Sequence, residues 1–157
     1  MTTLPTVFIT GASSGIGATY AERFARCGHD LVLVARNKSR LDALAMRLRE
    51  QHQIAVEVLQ ADLTNSAELP ALETRLRHDA RIGILINNAG MPQSGHFLEQ
   101  SPEAIESQIA LNITALTRLA AAIAPRLAQS GTGSIVNIGS VVGFSPEFGI
   151  SLYGATK

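Results

Sequence analysis

Several residue types are scarce in this 157-residue sequence. It has no tryptophan, and aromatic residues make up only 4% of it. Basic and acidic side chains balance at 13 each, which removes the electrostatic basis for binding nucleic acid or an anionic membrane surface. The single cysteine, Cys27, cannot form a disulfide within the chain, which fits a reducing compartment. Cys27 falls beside Tyr20 and Phe24 on the apolar side of the first predicted helix, so we expect it in the core.

Long apolar runs and metal-ligand patterns are missing as well. The residues before Thr6 carry no basic region of a signal peptide, and no apolar stretch approaches the roughly 20 residues that cross a membrane. The four histidines, His29, His52, His78 and His96, lack the spacing of metal ligands. We therefore expect a cytoplasmic protein with no nucleic-acid partner, no membrane partner and no metal site.

Apolar residues make up 46% of the chain, and many fall in five short, β-branched segments. Segments that are apolar nearly throughout are typical of parallel strands buried on both faces. The five segments are residues 6–10, 30–35, 55–60, 82–87 and 134–139. Helical patterns lie between them. The sequence therefore predicts one α/β domain over residues 1–157, a doubly wound parallel sheet (Rossmann fold) with strand order 3-2-1-4-5.

The longest helical pattern begins at Ser101, a predicted N-cap, with Pro102 at the first helical position. Its apolar stripe is Ile105, Ile109, Asn112, Leu116, Leu119 and Ile123. Asn112 is polar, so its amide must be hydrogen-bonded if it is buried. Two roles are open for it: a bond to a backbone carbonyl in the core, or the holding of a water that relays protons to Lys157.

The predicted exposed face of this helix consists of Ala110, Ala121, Ala122, Leu127 and Ala128. It is rich in small residues, which allow close helix packing. The face predicts a homodimer or homotetramer formed through the helix around residues 102–129.

A glycine-rich segment, TGASSGIG, follows the first strand at residues 10–17. Gly11, Gly15 and Gly17 allow a tight turn and a close approach of ligand, and the N-terminus of the next helix favours a pyrophosphate. The spacing is G-x-x-x-G-x-G rather than the common G-x-G-x-x-G. Ser13, Ser14 and Ile16 lie between the glycines. The segment favours a nucleotide-binding site rather than an ordinary glycine-rich turn.

The second strand is followed by Arg36, 19 residues beyond the last of these glycines. An acid at about this distance binds the adenosine 2′-hydroxyl in many dinucleotide folds, whereas a cation suits a 2′-phosphate. Asn37 and Lys38 can assist it, and Ser13 and Ser14 can add hydroxyl donors. The alternative is that Arg36, Lys38 and Arg40 only belong to the solvated start of a helix. The position favours NADP(H) over NAD(H).

Polar residues also follow the third and fourth strands. Asp62 and Leu63 can hold the edge and face of an adenine, or Asp62 can simply cap a turn before Asn65. The segment NNAG at residues 87–90 places amides and a glycine beside the point where strand order reverses. We therefore predict cofactor contacts by Asn88, Ala89 and Gly90.

The fifth strand is followed by Ser140, and then by Tyr153 and Lys157, which share a face if YGATK is helical. An ordinary tyrosine, with a pKa near 10, needs about 4 kcal/mol of preferential phenolate stabilisation to work near pH 7. A neighbouring ammonium can supply it, and the Ser140 hydroxyl can bond the reacting oxygen. A surface helix pair is the alternative. Residues 92–97 and 141–150 can line a substrate mouth that Met91, His96, Phe144 and Phe148 would make mostly apolar, or they can simply pack as loops.

Together, TGASSGIG, Asp62-Leu63, NNAG, Asn112, Ser140 and YGATK resemble the short-chain dehydrogenases/reductases, in order and over the whole chain. The resemblance implies an NAD(P)(H)-dependent interconversion of alcohols and carbonyls with Tyr153 as acid/base. It implies that Tyr153 and Lys157 both contact the cofactor, with Lys157 on the nicotinamide ribose, and that Lys157 makes Tyr153 a stronger acid. By the same resemblance, Ser140 orients the substrate and Asn112 supports a water chain. A basic residue at Arg36 is similar to members that prefer NADP(H).

Members of that family continue well beyond the Tyr–Lys motif. The resemblance therefore predicts that the 157 residues are the N-terminal part of a longer enzyme. Two alternatives to an NADP(H)-linked oxidoreductase remain at this point. One is a non-catalytic NADP-binding module or inactive fragment, and the other is an NAD-dependent alcohol dehydrogenase with Arg36 merely exposed.

Overall fold

A five-stranded parallel sheet with the order β3-β2-β1-β4-β5 forms the centre of the protein. The computed structural model describes residues 4–92, 96–145 and 150–157. The strands are β1 (Thr6–Thr10), β2 (Leu31–Ala35), β3 (Val56–Gln60), β4 (Ile82–Asn87) and β5 (Ser134–Asn137). The predicted fold class and strand order are confirmed, and three of the strands are one or two residues shorter than predicted.

Helices cover both faces of the sheet. They are α1 (Gly15–Arg26), α2 (Lys38–His52), α3 (Leu69–His78), α4 (Pro102–Ile109), a π-helical segment (Ala110–Ala115), α5 (Leu116–Ser130) and α6 (Ser151–Thr156). Side chains alternate along β1, so Val7 and Ile9 pack against α1 and α2 while Phe8 packs against α3 and α5. With both faces covered, all five residues of β1 are buried. This explains the nearly continuous apolar character of the strand.

The segments α4, π and α5 form one continuous helix, Pro102–Ser130. Ser101 caps it as predicted, because its Oγ accepts from the Ala104 N–H at 3.2 Å. The predicted stripe is wrong at Ile109, which is 38% exposed, while the neighbouring Gln108 is only 2% exposed. A π turn accommodates one residue more than an α turn, so it changes which side of α4 faces the core.

Two packing predictions are wrong. Ala122 is buried against the sheet and Leu127 packs beside it, so the small-residue face of α5 that stays exposed is narrower and includes Ala121 and Ala128. Cys27 is exposed, because α1 ends at Arg26 and the chain turns away from the core at the next residue.

The helix Pro102–Ser130 has 29 residues and contains an 18-residue window with a mean hydropathy of 1.2, so it is long and apolar enough to cross a membrane. The prediction that no such stretch exists is therefore wrong as stated. This is weak evidence for a membrane span, because the core helix of a soluble protein passes the same test. Arg118 within this helix forms an ion pair with Glu73 of α3 at 2.5 Å. A charged side chain of the helix is therefore paired within the domain.

Candidate active site

Backbone geometry fixes the glycine-rich loop between β1 and α1. Gly11 and Gly15 have φ values of +65° and +54°, a region that favours glycine. A Cβ on Gly17 would lie 2.4 Å from the Gly11 carbonyl oxygen. The Ser14 side chain makes no capping bond at the start of α1. The N–H groups of the first turn therefore remain available to donate to an anion.

A cleft of about 510 Å³ lies along the carboxyl ends of β1 to β4. Eleven of the predicted cofactor residues line it: Gly11, Ser13, Ser14, Ile16, Arg36, Asn37, Asp62, Leu63, Asn88, Ala89 and Gly90. Ala35, Arg40, Ala61 and Leu111 also line it. Gly15 and Gly17 shape the loop without lining the cleft, and Tyr153 and Lys157 stand beyond the Gly90 end. The structure thus brings together segments from four separate strand ends.

Two cations face the end of the cleft nearest β2. Arg36 and Arg40 both line it, and Asn37 between them caps α2 by accepting from the Arg40 N–H at 3.0 Å. Lys38 is instead engaged with Asp42 at 2.7 Å. From the sequence, Arg40 is expected only in the solvated start of a helix. Its position four residues after Arg36, in the first turn of a helix, is the signal that could have identified it.

Asp62 makes the turn bonds that were one of its two open roles, and its contact with an adenine stays a prediction. Its Oδ1 accepts from the N–H and the hydroxyl of Thr64 at 2.9 and 2.7 Å, and the residue also lines the cleft. Burial acts to raise the pKa of Asp62, but the two bonds from Thr64 and the charge on Arg36 outweigh it. The net result is a pKa below the ordinary value of 3.8. An ionised Asp62 close to Arg36 gives this end of the cleft a fixed pair of charges.

Thr10 at the end of β1 holds the NNAG segment in place, a role the sequence analysis missed. Its hydroxyl accepts from the N–H groups of Asn88 and Ala89, both at 3.0 Å. The side chain of Asn88 donates in return to the carbonyls of Thr10 and Gly11 at 3.0 and 3.2 Å. These bonds fix the floor of the cleft between the two central strands.

Asn112 lies buried in the π-helical segment and bonds the backbone of Met91. Its Oδ1 accepts from the Met91 N–H at 3.0 Å, and its Nδ2 donates to the Met91 carbonyl at 3.0 Å and to Thr156 Oγ1 at 2.9 Å. The backbone bond that was one of the two open roles is therefore present. The water relay stays a prediction.

Lys157 stands between the cleft and α6. Its Nζ donates to the Ile138 carbonyl at 2.9 Å and lies 5.9 Å from the centre of the Tyr153 ring. Burial lowers the pKa of Lys157 below its ordinary value of 10.5. A Cβ on Gly90 would come within 3.1 Å of Nζ and 3.3 Å of Asn112 Oδ1. The absence of a side chain at Gly90 thus lets the end of the cleft meet Lys157.

Ser140 follows β5 and begins a 3-10 turn, Val141–Phe144, that packs on α6. The Ser140 Oγ accepts from the Val142 N–H at 3.3 Å. Two glycines allow the close packing, since a Cβ on Gly154 would lie 3.1 Å from the Val142 carbonyl oxygen and one on Gly143 would lie 3.1 Å from the Lys157 carbonyl carbon. Ser140 is therefore coupled to the helix that carries Tyr153.

Some predictions cannot be placed in this way. Residues 93–95 and 146–149 of the predicted substrate mouth, Phe148 among them, lie outside the described residues. Within residues 4–92, 96–145 and 150–157, no group of three or more His, Cys, Asp and Glu side chains is arranged to hold a metal ion.

The chain resembles known proteins along nearly all of its length. The family model for short chain dehydrogenases matches residues 5–157. A solved short-chain dehydrogenase from Sphingobium yanoikuyae, in complex with NADPH, is 77% identical with a TM-score of 0.97 over 98% of this chain and 60% of that one. A bulky-bulky ketone specific alcohol dehydrogenase from Comamonas testosteroni is 65% identical with a TM-score of 0.98 over 99% of this chain and 63% of that one.

A sulfoacetaldehyde reductase from Chromohalobacter salexigens is 40% identical over 96% of this chain and 60% of its own length. The chain thus spans about 60% of the length of these relatives. Its family is nonetheless shown by the match from residue 5 to residue 157, which includes the glycine-rich loop, NNAG and the Tyr–Lys pair. The chain belongs to the short-chain dehydrogenase family of oxidoreductases.

Proposed function

We propose that the protein is an NADP(H)-dependent oxidoreductase that interconverts ketones and secondary alcohols. The observation that carries the proposal is the continuity of the site. One cleft runs from Arg36 and Arg40, past the glycine-rich loop, to Gly90, and there the Lys157 ammonium stands beside the Tyr153 ring. A cofactor bound along the cleft would therefore end next to a proton donor.

The residues that line the cleft fit NADP(H). The volume of about 510 Å³ lies in the range of small-molecule sites. The first turn of α1 offers N–H groups for the pyrophosphate, and Arg36 and Arg40 offer two guanidinium groups for a 2′-phosphate. The solved relative that is 77% identical holds NADPH, which supports the same choice here.

NADPH, when bound, supplies a hydride to the carbonyl carbon. In that direction the Tyr153 hydroxyl donates its proton to the carbonyl oxygen, and in alcohol oxidation the phenolate takes the proton back. The Ser140 hydroxyl donates a hydrogen bond to the same oxygen and so stabilises the charge that develops on it. The Lys157 ammonium stabilises the phenolate, and Asn112 holds the backbone beside Lys157 and can support a water chain.

We propose ketones with bulky groups as the substrate class. The 3-10 turn after Ser140 exposes Val141 and Phe144. The 3-10 turn Phe97–Glu99, between β4 and α4, exposes Phe97 and Leu98. Both segments therefore present apolar surface. Such surface favours apolar substituents on the carbonyl. The Comamonas testosteroni relative, which is specific for bulky-bulky ketones, supports this class.

Three broader predictions also remain proposals. We propose that residues 1–157 form one NAD(P)-binding domain that belongs to a longer enzyme. A cytoplasmic location and a homodimer or homotetramer through the helix around residues 102–129 are proposed as well. A monomeric mass in solution for the whole protein would contradict the last of these.

The first test is a fluorescence titration of the protein with NADPH and with NADH. We expect NADPH to bind at least about tenfold more tightly, because only NADPH carries the 2′-phosphate. Equal affinity would favour the NAD-dependent alternative. The bound sample is then offered benzophenone, with acetone as a small ketone for comparison, and the loss of absorbance at 340 nm is followed. Binding without turnover of either ketone would favour a non-catalytic NADP-binding module.

A further inference from the structure

A second buried amide lies one helical turn before Asn112. Gln108, in the last turn of α4, is 2% exposed, and its Nε2 donates to the Met91 carbonyl at 3.3 Å. The same carbonyl accepts from Asn112 Nδ2, and the Met91 N–H donates to Asn112 Oδ1. Both backbone polar groups of Met91 are thus bonded by side chains of one helix.

Met91 needs such partners because of where it lies. It stands four residues beyond the end of β4 at Asn87, where the strand ladder no longer supplies hydrogen bonds. Backbone groups away from water must find partners elsewhere. Two side-chain amides from the facing helix supply them, so the start of the loop after β4 is held by side chains.

The π-helical segment explains why Gln108 faces inward. An apolar stripe continued through a regular helix would bury Ile109, yet Ile109 is exposed and Gln108 is buried. A buried amide without a hydrogen bond is costly, and an apolar side chain could have filled the same space without that cost. The bond to Met91 is therefore the feature that distinguishes Gln108 from a simple core residue.

The bonds continue from Met91 to the helix of the Tyr–Lys pair. Asn112 Nδ2 also donates to Thr156 Oγ1 at 2.9 Å, and this hydroxyl donates to the Tyr153 carbonyl at 2.9 Å. Gly90, the residue before Met91, lies against Lys157 Nζ. A shift of the Met91 backbone would therefore move the contacts of Asn112, Thr156 and Lys157 together.

We propose that Gln108 is a positioning residue for the reaction. Together with Asn112 it fixes the backbone of Met91, and this sets the placement of α6 relative to the end of the cleft. The catalytic consequence rests on the proposed function. The role of Gln108 in fixing the Met91 backbone does not depend on the proposed function, and it can be measured separately.

The test compares two variants with a matched control. Gln108→Met keeps the length and volume of the side chain but removes the donor. Gln108→Glu keeps the shape and donates only when its carboxyl group is protonated. Gln129→Met makes the first change at an exposed position near the end of the same long helix. The readouts are amide hydrogen exchange at Met91 by NMR and kcat/KM for benzophenone with NADPH.

We expect Gln108→Met to speed exchange at Met91 about tenfold and to lower kcat/KM about tenfold, with Gln129→Met unchanged in both. Gln108→Glu should resemble the wild type at low pH and lose kcat/KM as the pH rises, because the ionised carboxylate repels the Met91 carbonyl. Lys157, Tyr153, Glu103 and Glu106 are unchanged in all the proteins, and each kcat/KM is compared as its ratio to that of the wild type. For Gln108→Met that ratio should not depend on pH.

Equal exchange and equal kcat/KM in Gln108→Met and Gln129→Met would overturn the proposal. A ratio for Gln108→Glu that stays flat across the pH range in which its carboxyl group ionises would also overturn it, because the ionised carboxylate cannot donate to the Met91 carbonyl. Should Gln108→Met fail to fold, the pH comparison in Gln108→Glu still decides. Should the wild type reduce no ketone, the proposed function fails, while exchange at Met91 still decides on the role of Gln108.

Discussion

The two ends of the cleft are built in different ways. At the end near β1 and β2, the site is made mostly of backbone: glycines with positive φ, a helix N-terminus and close contacts that exclude side chains. At the end near α6, it is made of buried side chains that bond backbone groups far away in the chain, as Asn112 and Gln108 do with Met91. The first end depends on which conformations the backbone can adopt, and the second on which side chains meet.

This difference predicts that the two ends can be disabled separately. A change at the backbone-built end should weaken cofactor binding or destabilise the fold. A change at the side-chain-built end should slow the reaction while the cofactor still binds.

The largest effect is expected from Tyr153→Phe, which removes the proposed proton donor and little else. We expect kcat to fall by about 10²–10⁴-fold, because general acid catalysis contributes on that order. The affinity for NADPH should change by less than about twofold, because the cleft residues are untouched. Steady-state kinetics and fluorescence titration on one preparation check both values. Ketone reduction at the wild-type rate would remove Tyr153 from the mechanism.

At the other end, Gly17→Ala should act through the backbone. The new Cβ would meet the Gly11 carbonyl oxygen at 2.4 Å and the Asn88 amide nitrogen at 2.6 Å. Overpacking of this kind costs about 1–3 kcal/mol, so we expect a lower Tm and weak NADPH binding. Gly15→Ala is the matched control, since its Cβ meets nothing within 4 Å and only the positive φ is strained. A smaller loss of Tm in Gly17→Ala than in Gly15→Ala would contradict the close-contact argument.

A more selective change is Arg36→Gln, alone and combined with Arg40→Gln. Loss of one charged hydrogen bond to a 2′-phosphate should weaken NADPH binding about tenfold, or about 1.4 kcal/mol. NADH binding should stay the same, because NADH lacks that phosphate. Arg23→Gln, on an exposed part of α1 outside the cleft, serves as the control. Equal losses of affinity for NADPH and NADH would show that these arginines do not bind the 2′-phosphate.

The smallest effect concerns Lys157 and pH. Burial holds the pKa of Lys157 below 10.5, so the folded state binds fewer protons than the unfolded state as the pH approaches that value. The free energy of unfolding should therefore gain a small increment as the pH rises from the folded pKa towards 10.5. Lys157→Met should lack this increment in urea titrations over that range. If the free energy of unfolding changed with pH identically in the two proteins, burial would not lower the pKa of Lys157.

The sequence predicts the backbone-built end better than the side-chain-built end. Glycines at residues 11, 15 and 17, an Arg after β2 and NNAG after β4 are local patterns whose meaning follows from their place in an α/β fold. The partners of Asn112 and the burial of Gln108 depend instead on a π turn, which no local sequence pattern predicts. Cys27 is mispredicted for a related reason. The helix α1 ends at Arg26, so Cys27 does not continue the apolar side of that helix and is exposed.

The π-helical segment has a further consequence for how this chain tolerates changes in length. Each residue of an α-helix advances by about 100° around its axis. The π turn takes up one residue more than an α turn, so deleting one residue between Ala110 and Ala115 would leave a regular α-helix in which α4 keeps its orientation relative to α5. Gln108 would then still face the core and Ile109 the solvent, whereas a deletion within the regular turns of α5 would rotate α4 by about 100°. At this place in the fold, the chain can lose one residue without changing which side chains of α4 face the core.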